Sequence, residues 1–350
     1  MSLRNRCEPC HLHVILVQSL NPEVLTLASL LAIDLGSANT VVCDSRTGVI
    51  FDEPTLIAYD KRSGRVIGIG NEAKDVVGRV SGYVVVERPI RDGRISSTEL
   101  LDYYLQSLLK VLQIRRFSRP RTIVALPSSA TVVESRSLMT ALRNAGLSEV
   151  ESLDTALASA IGIGLDIYGP NGVMVVNLGA ATTLSGIIAF GGVVTASSAF
   201  CGGNALDRAI MDLLRYRSNV SIDESVAEEV KLALAKISDS PPTLVSSMVG
   251  RDLNRGIPVK VEINEESVRE IIGDPTKMVM DVILDNLTHC PAELAQDLVL
   301  GGIHLCGGHS QLPGLAEAIE NVVKIPVHLV DQPRHTTAHG LTLYGKKGQR

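Results

Sequence analysis

The chain has no tryptophan and only four phenylalanines and seven tyrosines in 350 residues, too few aromatic rings to build the platforms on which single-stranded nucleic acid stacks. It also lacks a basic excess: 33 Lys and Arg against 38 Asp and Glu leave a net charge of −5, the wrong sign for a protein that grips phosphate backbones. Nucleic acid is thereby excluded as a partner. The six cysteines (Cys7, Cys10, Cys43, Cys201, Cys290, Cys306) form no framework, and the opening residues do not read as a secretory leader. Reduced thiols in a cytoplasmic protein are the expectation. Cys7-Glu8-Pro9-Cys10-His11 has the C-x-x-C-H spacing of haem attachment, but that chemistry needs export and a haem-sized pocket, and neither is indicated. Residues 1–28 carry no periodicity continuous with the apolar run at Leu30 and read as an N-terminal extension.

Charge is missing altogether from Ile167 to Leu206, a stretch whose hydropathy alone could pass for a membrane span. Gly172, Gly179, Gly186, Gly191 and Gly192 break it, however, and it divides into three strand-length pieces, Val173–Leu178, Thr182–Phe190 and Val193–Phe200. Strands covered on both faces need no charge, so the expectation is buried sheet.

What is present is a repeated design. Ala32-Ile33-Asp34-Leu35-Gly36-Ser37-Ala38-Asn39-Thr40 and Val175-Val176-Asn177-Leu178-Gly179-Ala180-Ala181-Thr182-Thr183 each set an apolar strand before Leu-Gly, small residues and a Thr. A tight turn of this kind exposes backbone N–H groups that suit phosphate, and a carboxylate at the strand end suits the water shell of Mg²⁺. The first copy has that acid in Asp34; the second has Asn177. Each copy opens a meander of three strands, the first over Leu30–Leu35, Thr40–Asp44 and from Val49, which implies an internal duplication.

Helical patterns come next along the chain. Leu100, Leu101, Tyr104, Leu105, Leu108 and Leu109 share one face of a helix over Ser97–Leu112, and Val132–Ala145 reads as a helix closed by Gly146. Arg121–Leu126 reads as a strand, and a further helix begins at Thr155. Later come helices over Ala205–Arg215 and Ser225–Ile237, then a strand over Gly302–Cys306 that runs into Gly307-Gly308 with a helix after Leu312. A chain of 350 residues that is 45% hydrophobic can core two such lobes.

The order of these motifs resembles the MreB family of bacterial actin homologues. Ile33–Thr40, Glu53–Pro54, Arg88-Pro89-Ile90-Arg91-Asp92-Gly93, Ala125–Ser128, Gly202-Gly203, Gly250-Arg251-Asp252-Leu253 and Gly302–Leu315 carry the resemblance, which runs from about Leu30 to Gly345. It implies an α/β, actin-like ATPase fold: two duplicated lobes, each a β-sheet flanked by helices, around a nucleotide cleft. The first lobe would take 29–150 with 331–345, including a small subdomain over 53–88. The second would take 151–330, with a small subdomain over 206–285.

The resemblance further implies ATP or ADP with Mg²⁺ in the cleft. Asp34 would hold the metal through water. Gly36, Ser37, Ala38, Asn39 and Thr40 would meet the phosphates from one side; Gly179, Ala180, Ala181, Thr182, Gly202 and Gly203 would meet them from the other. Glu228, Glu229 and Lys231 would contact the nucleoside; on spacing alone, Glu228 and Lys231 read as a solvated ion pair on one helix face. Gly307, Gly308, His309 and Ser310 would line the adenine and ribose, with His309 standing where the family continues with a third glycine.

Three departures bear on catalysis. The family's water-orienting Glu falls at Thr155, with Asp154 one residue early, a rotation of about 100° on a helix. Asn177 removes one charge from the metal shell. Gly202-Gly203-Asn204 replaces the family's Gly-Gly-Asp. A lost base typically forfeits about 10²–10⁴-fold in rate, so slow or absent hydrolysis is expected, with Asp154 as a helix cap and Thr155 as a poor substitute for the acid. Methyls at Ala180 and Ala181 would cost roughly 1–2 kcal/mol each if the turn needs positive φ there.

As the resemblance implies, partners would be further copies of the chain or a related MreB-like protein in filaments, cell-wall synthesis or shape machinery, and the inner face of the membrane. Gln113–Arg121 joins Ile114 and Phe117 to Arg115, Arg116, Arg119 and Arg121, a mixture that suits an anionic leaflet. Two other readings remain: a small-molecule kinase of the actin and sugar-kinase superfamily, with Asp154 as its base, and a nucleotide-independent scaffold on the same fold.

Overall fold

Leu30-Leu31-Ala32-Ile33 is apolar at every position because both faces of its strand are covered: Leu30 and Ala32 turn one way, Leu31 and Ile33 the other, all of them buried. Around this strand the computed structural model, which describes residues 30–77, 82–114, 120–238 and 240–347, builds a five-stranded sheet. Leu30–Leu35, Asn39–Asp44 and Gly48–Pro54 form an antiparallel meander, while Arg121–Leu126 and Val150–Asp154 extend it in parallel.

The second copy folds the same way. Val173–Leu178, Thr183–Ala189 and Gly192–Ala199 form the meander, and Ile303–Cys306 and Val327–Leu329 are the parallel strands. Strand for strand the two sheets have one topology, so the duplication visible in the two Leu-Gly turns extends through both halves.

Each fifth strand leads into a helix rich in small residues, Thr155–Ile163 in the first half and Thr336–Lys347 in the second. These two helices lie between the sheets, and their Ala156, Ala158, Ala160, Ala338 and Leu341 join Ala32, Ile123, Val175 and Cys306 in one central core. They approach until backbone meets backbone. A Cβ placed on Gly162 would stand 2.0 Å from the Thr336 carbonyl oxygen, and one on Gly340 would stand 1.7 Å from that of Ala158.

The outer faces are covered by amphipathic helices. On the first sheet these are Thr98–Val111 and Val132–Ala145; the latter starts with a Thr131–Glu134 capping box and stops at Gly146 in the left-handed region. On the second sheet they are Glu265–Thr288, Ala292–Gly301 and Leu315–Val323. The result is five layers, helix and sheet alternating.

Two smaller units sit apart from this stack. Ile57–Asp60, Val66–Ile69 and Val84–Glu87 form a three-stranded sheet beside the short helix Gly70–Asp75, in a region whose glycine spacing suggests no strand. Helices Gly203–Ser218 and Glu224–Leu234 pack with the strands Val220–Ser221, Val245–Asp252 and Pro258–Asn264 around a core of their own.

One expectation needs correcting. The third piece of the charge-free stretch is not buried: Gly192–Ala199 is an edge strand whose alternate residues face solvent, and Phe200 beyond it is 56% exposed. The open face carries the uncharged Val194, Ala196 and Ser198, while Thr195 and Ser197 are half-buried on the other face, where Ser197 donates to Asp285 of helix Glu265–Thr288.

Candidate functional site

The first hairpin turns at Gly36, whose N–H donates to the Asn39 carbonyl at 3.0 Å. Beneath it a hydroxyl relay runs through the lobe: Tyr104 donates to Thr40 Oγ1 at 2.8 Å, Thr40 to Thr55 at 2.9 Å, and Thr55 to the Gly36 carbonyl at 2.7 Å. Thr40 is fully buried in that relay, so its hydroxyl braces the turn from behind instead of facing the cleft, contrary to the expected role. Ser37 and Ala38 are different. Among the described residues their backbone N–H groups meet no acceptor.

Asp34 stands at the base of this turn with no hydrogen-bond partner among the described residues. Burial pushes its carboxyl up to about 6 from an ordinary 3.8. Its charge also helps to raise the thiol of Cys306, which burial chiefly lifts to about 12, so the field of the carboxylate reaches the strand paired with Val173–Leu178. Ionising Asp34 opposes folding: the cost is absent below pH 3.8, grows between 3.8 and 6, and is complete above. With part of the group open to solvent, about 1–2 kcal/mol is a fair magnitude. Asp34→Asn is therefore expected to raise the melting temperature of the nucleotide-free chain at pH 7.5 by about 2–4 °C, an increment that calorimetry should find vanishing near pH 4.

In the second hairpin Gly179 N–H donates to the Thr182 carbonyl at 2.8 Å, repeating the first turn. Asn177 donates its amide to Ser159 Oγ at 3.3 Å and to Thr337 Oγ1 at 3.0 Å, one residue from each central helix. It is a tie between those helices. Ala180 and Ala181 do not adopt positive φ, so the strain their methyls would bring in a left-handed turn is absent. The start of helix Gly203–Ser218 clamps this turn, with Gly203 N–H donating to the Gly179 carbonyl at 3.2 Å and Asn204 N–H to that of Ala180 at 2.8 Å.

At the other end of the candidate site the structure brings Gly203, Lys231, His309 and Ala180 together: a Cβ on Gly203 would lie 3.3 Å from Lys231 Nζ, 3.7 Å from His309 Nδ1 and 3.9 Å from the Ala180 Cα. Lys231 does not pair with Glu228, as helix spacing allowed. Its partner is Asp207, with Nζ 2.9 Å from Oδ2 and both side chains nearly buried, while Glu228 and Glu229 are exposed. Burial raises the Asp207 carboxyl against the pull of Lys231. Burial, with the ammonium of Lys231 adding to it, brings the imidazole of His309 down to about 4, so His309 is neutral at pH 7. Gly307, at φ +83°, packs on Asn177 and Leu178, Gly308 lies against Arg334, and Ser310 Oγ donates to the Gly307 carbonyl at 2.7 Å.

The two residues expected at the catalytic position are occupied structurally. Asp154 caps helix Thr155–Ile163, accepting from Ala156 N–H at 2.8 Å and Leu157 N–H at 3.1 Å, and its other oxygen accepts from Ser128 Oγ. Thr155 begins that helix and carries no acid. Asp154→Ala is expected to cost about 1 kcal/mol of stability and to leave phosphate release from ATP unchanged; a drop in release without a drop in stability would return Asp154 to the chemistry.

Of the expected membrane loop, Ile114 is half-buried and packs on the first-lobe core. Arg115, Arg116 and Phe117 lie outside the described residues, as do Cys7, Cys10 and His11. Sequence reasoning missed Asp207, the partner of Lys231, and the turn Asp92-Gly93, although Asp-Gly between Ile90-Arg91 and Arg94-Ile95 is a hairpin signal.

Two sheets of one topology about a close-packed helix pair, with a glycine-turned hairpin from each, define an actin-like protein. Solved structures agree. MreB5 of Spiroplasma citri bound to AMPPNP superposes with a TM-score of 0.84 at 26% identity, over 91% of this chain and 96% of that one. The MamK double helical filament superposes at 0.76 and 21% identity, a likeness of fold, over 91% of this chain and 98% of that one. The MreB/Mbl protein family matches residues 28–350, and the chain belongs to it. It is 31% identical over 311 residues to the cell shape-determining protein Mbl of Bacillus subtilis (strain 168), spanning 89% of this chain and 93% of that one. To the cell shape-determining protein MreB of Escherichia coli (strain K12) it is 32% identical over 316 residues, 89% and 91% of the two chains.

Proposed function

We propose that this chain is a cell shape-determining cytoskeletal subunit that binds ATP or ADP with Mg²⁺ between its two hairpins, turns it over slowly or not at all, and uses it to set the closure of two lobes divided near residue 150. The observation that carries this is Asp34: a carboxylate held against its own ionisation, without a partner among the described residues, beside the unclaimed N–H groups of Ser37 and Ala38. A hydrated divalent cation would relieve the carboxylate, and phosphate oxygens would take the N–H groups. Bound nucleotide in the similar MreB5 supports the same reading.

The neighbouring groups support slow or absent turnover. Asp154 uses one oxygen in its cap and accepts from Ser128 with the other, Thr155 has no base, and the amide of Asn177 serves the helix tie. The same facts weigh against the small-molecule kinase, which needs a free carboxylate to take a proton from its acceptor. Assembly with further copies, or with a related MreB-like chain, is supported by the filament of the similarly folded MamK. Pelleting the full chain tests the switch: the polymer fraction should rise with Mg-ATP, and equal pelleting with and without it would leave a nucleotide-independent scaffold.

On this reading the filaments lie in the cytoplasm under an anionic leaflet, held through the basic loop between residues 113 and 121, where they would organise wall-synthesis or shape machinery. No described helix is long and apolar enough to cross a membrane, so contact would be peripheral. Replacing Ile114 and Phe117 by serine should weaken co-sedimentation with anionic liposomes, and unchanged binding would remove the leaflet from the account.

A further inference from the structure

Ile90-Arg91 and Arg94-Ile95 pair as a two-residue hairpin around Asp92 and Gly93, at φ +51° and +75°. Positive φ at both central positions is the twist such hairpins need, and Asp-Gly supplies it. The tip lands between the two phosphate hairpins. Gly93 N–H donates to Ser37 Oγ at 2.9 Å on one side, and on the other a Cβ at Gly93 would be 2.6 Å from Thr182 Cγ2.

Flanking side chains continue across the gap. Arg88 donates to the Ser37 carbonyl at 3.1 Å and pairs with Glu224, at the start of helix Glu224–Leu234, at 3.4 Å. Asp92 pairs with Arg208 on helix Gly203–Ser218, the helix whose first residues clamp the second hairpin. Arg94 stacks over Phe200 with its Cζ 4.4 Å from the ring centroid. Apart from the bonds to Ser37, each of these contacts joins the first half of the chain to the second.

We infer that the Asp92-Gly93 tip is a crossbar that positions the two phosphate hairpins against each other, and that the Asp92–Arg208 pair is its clasp, governing how readily the cleft releases nucleotide. The inference rests on the nucleotide reading for its ligand, but the crossbar itself does not. Asp92 and Arg208 are positioning residues: they touch the elements that carry the hairpins, and their charges are about half exposed. An exposed pair gives up to about a fivefold effect, and reversing one charge adds repulsion.

The test is a coupled set of substitutions in the full chain, read in two ways. Asp92→Asn keeps a residue that tolerates left-handed backbone while removing the charge; Arg208→Glu sets like charges facing. Without nucleotide, hydrogen exchange at the Gly93 amide should quicken about fivefold in the first and about tenfold in the second. In the double variant it should fall back to the rate of Asp92→Asn alone, because the introduced carboxylate then faces an amide. Dissociation of fluorescent ADP should show the same order.

Exchange unchanged in the single variants, or effects that simply multiply in the double, would overturn the crossbar. If the wild-type chain binds no fluorescent ADP, the nucleotide reading fails. The exchange experiment still decides the crossbar in that case.

Discussion

Gly340→Ala is expected to destabilise the chain by about 3 kcal/mol or more, although alanine is the better helix former by about 1 kcal/mol. The two effects oppose each other, and the local geometry decides which wins. A Cβ at this position would stand 1.7 Å from the Ala158 carbonyl oxygen and 2.8 Å from the Gly162 nitrogen. Those are backbone atoms of the facing helix, so no rotamer change makes room. The helices must part, and with them the core that both sheets share. Gly273, inside helix Glu265–Thr288, is the control, since a Cβ there meets nothing within 4 Å. Gly273→Ala should stabilise by about 0.5–1 kcal/mol, and urea unfolding of both variants should show opposite signs.

The second large effect is expected at Lys231→Met, with a loss of about 3 kcal/mol at neutral pH. Lys231 and Asp207 are 13% and 10% exposed, and among the described residues Asp207 Oδ1 already has no hydrogen-bond partner. Removing the ammonium leaves a buried carboxylate uncompensated, the circumstance in which breaking one side of an ion pair is costly. Burial raises the Asp207 carboxyl and Lys231 opposes the rise, so without Lys231 the group protonates at still higher pH, and the variant should recover part of its loss as the pH is lowered. The double replacement Lys231→Met with Asp207→Leu should recover most of it at every pH. Unfolding midpoints at pH 7.5 and 5 for the three variants check both statements.

Much of the fold was legible because its signals are local. Helix Val132–Ala145 has Thr131 and Glu134 to start it and Gly146 to stop it, and the strand Arg121–Leu126 is an apolar run ended by Pro127. The duplication was legible in two Leu-Gly turns, and the matching sheet topology extends it. The four-residue strands between Ile57 and Glu87 were not, since pieces so short carry almost no periodicity. Pro275 disguises the 24-residue helix Glu265–Thr288, where proline inside a helix normally signals a break.

For the candidate site, residue types were legible and orientations were not. Thr40 has the chemistry of a phosphate donor, yet the distant Tyr104 and Thr55 draw its hydroxyl inward. Glu228 and Lys231 have ion-pair spacing, yet Asp207, on another helix, takes the ammonium. Helix spacing fixes which neighbours can meet, and a tertiary partner decides which do.

Calorimetric titration of the full chain with ATP in the presence of Mg²⁺ tests the central claim most directly. Saturable binding at one site, lost when Asp34 becomes asparagine in a chain that is otherwise more stable, is the result predicted. Absence of binding by the wild-type chain, or binding by the Asp34→Asn variant as tight as that of the wild type, would contradict it.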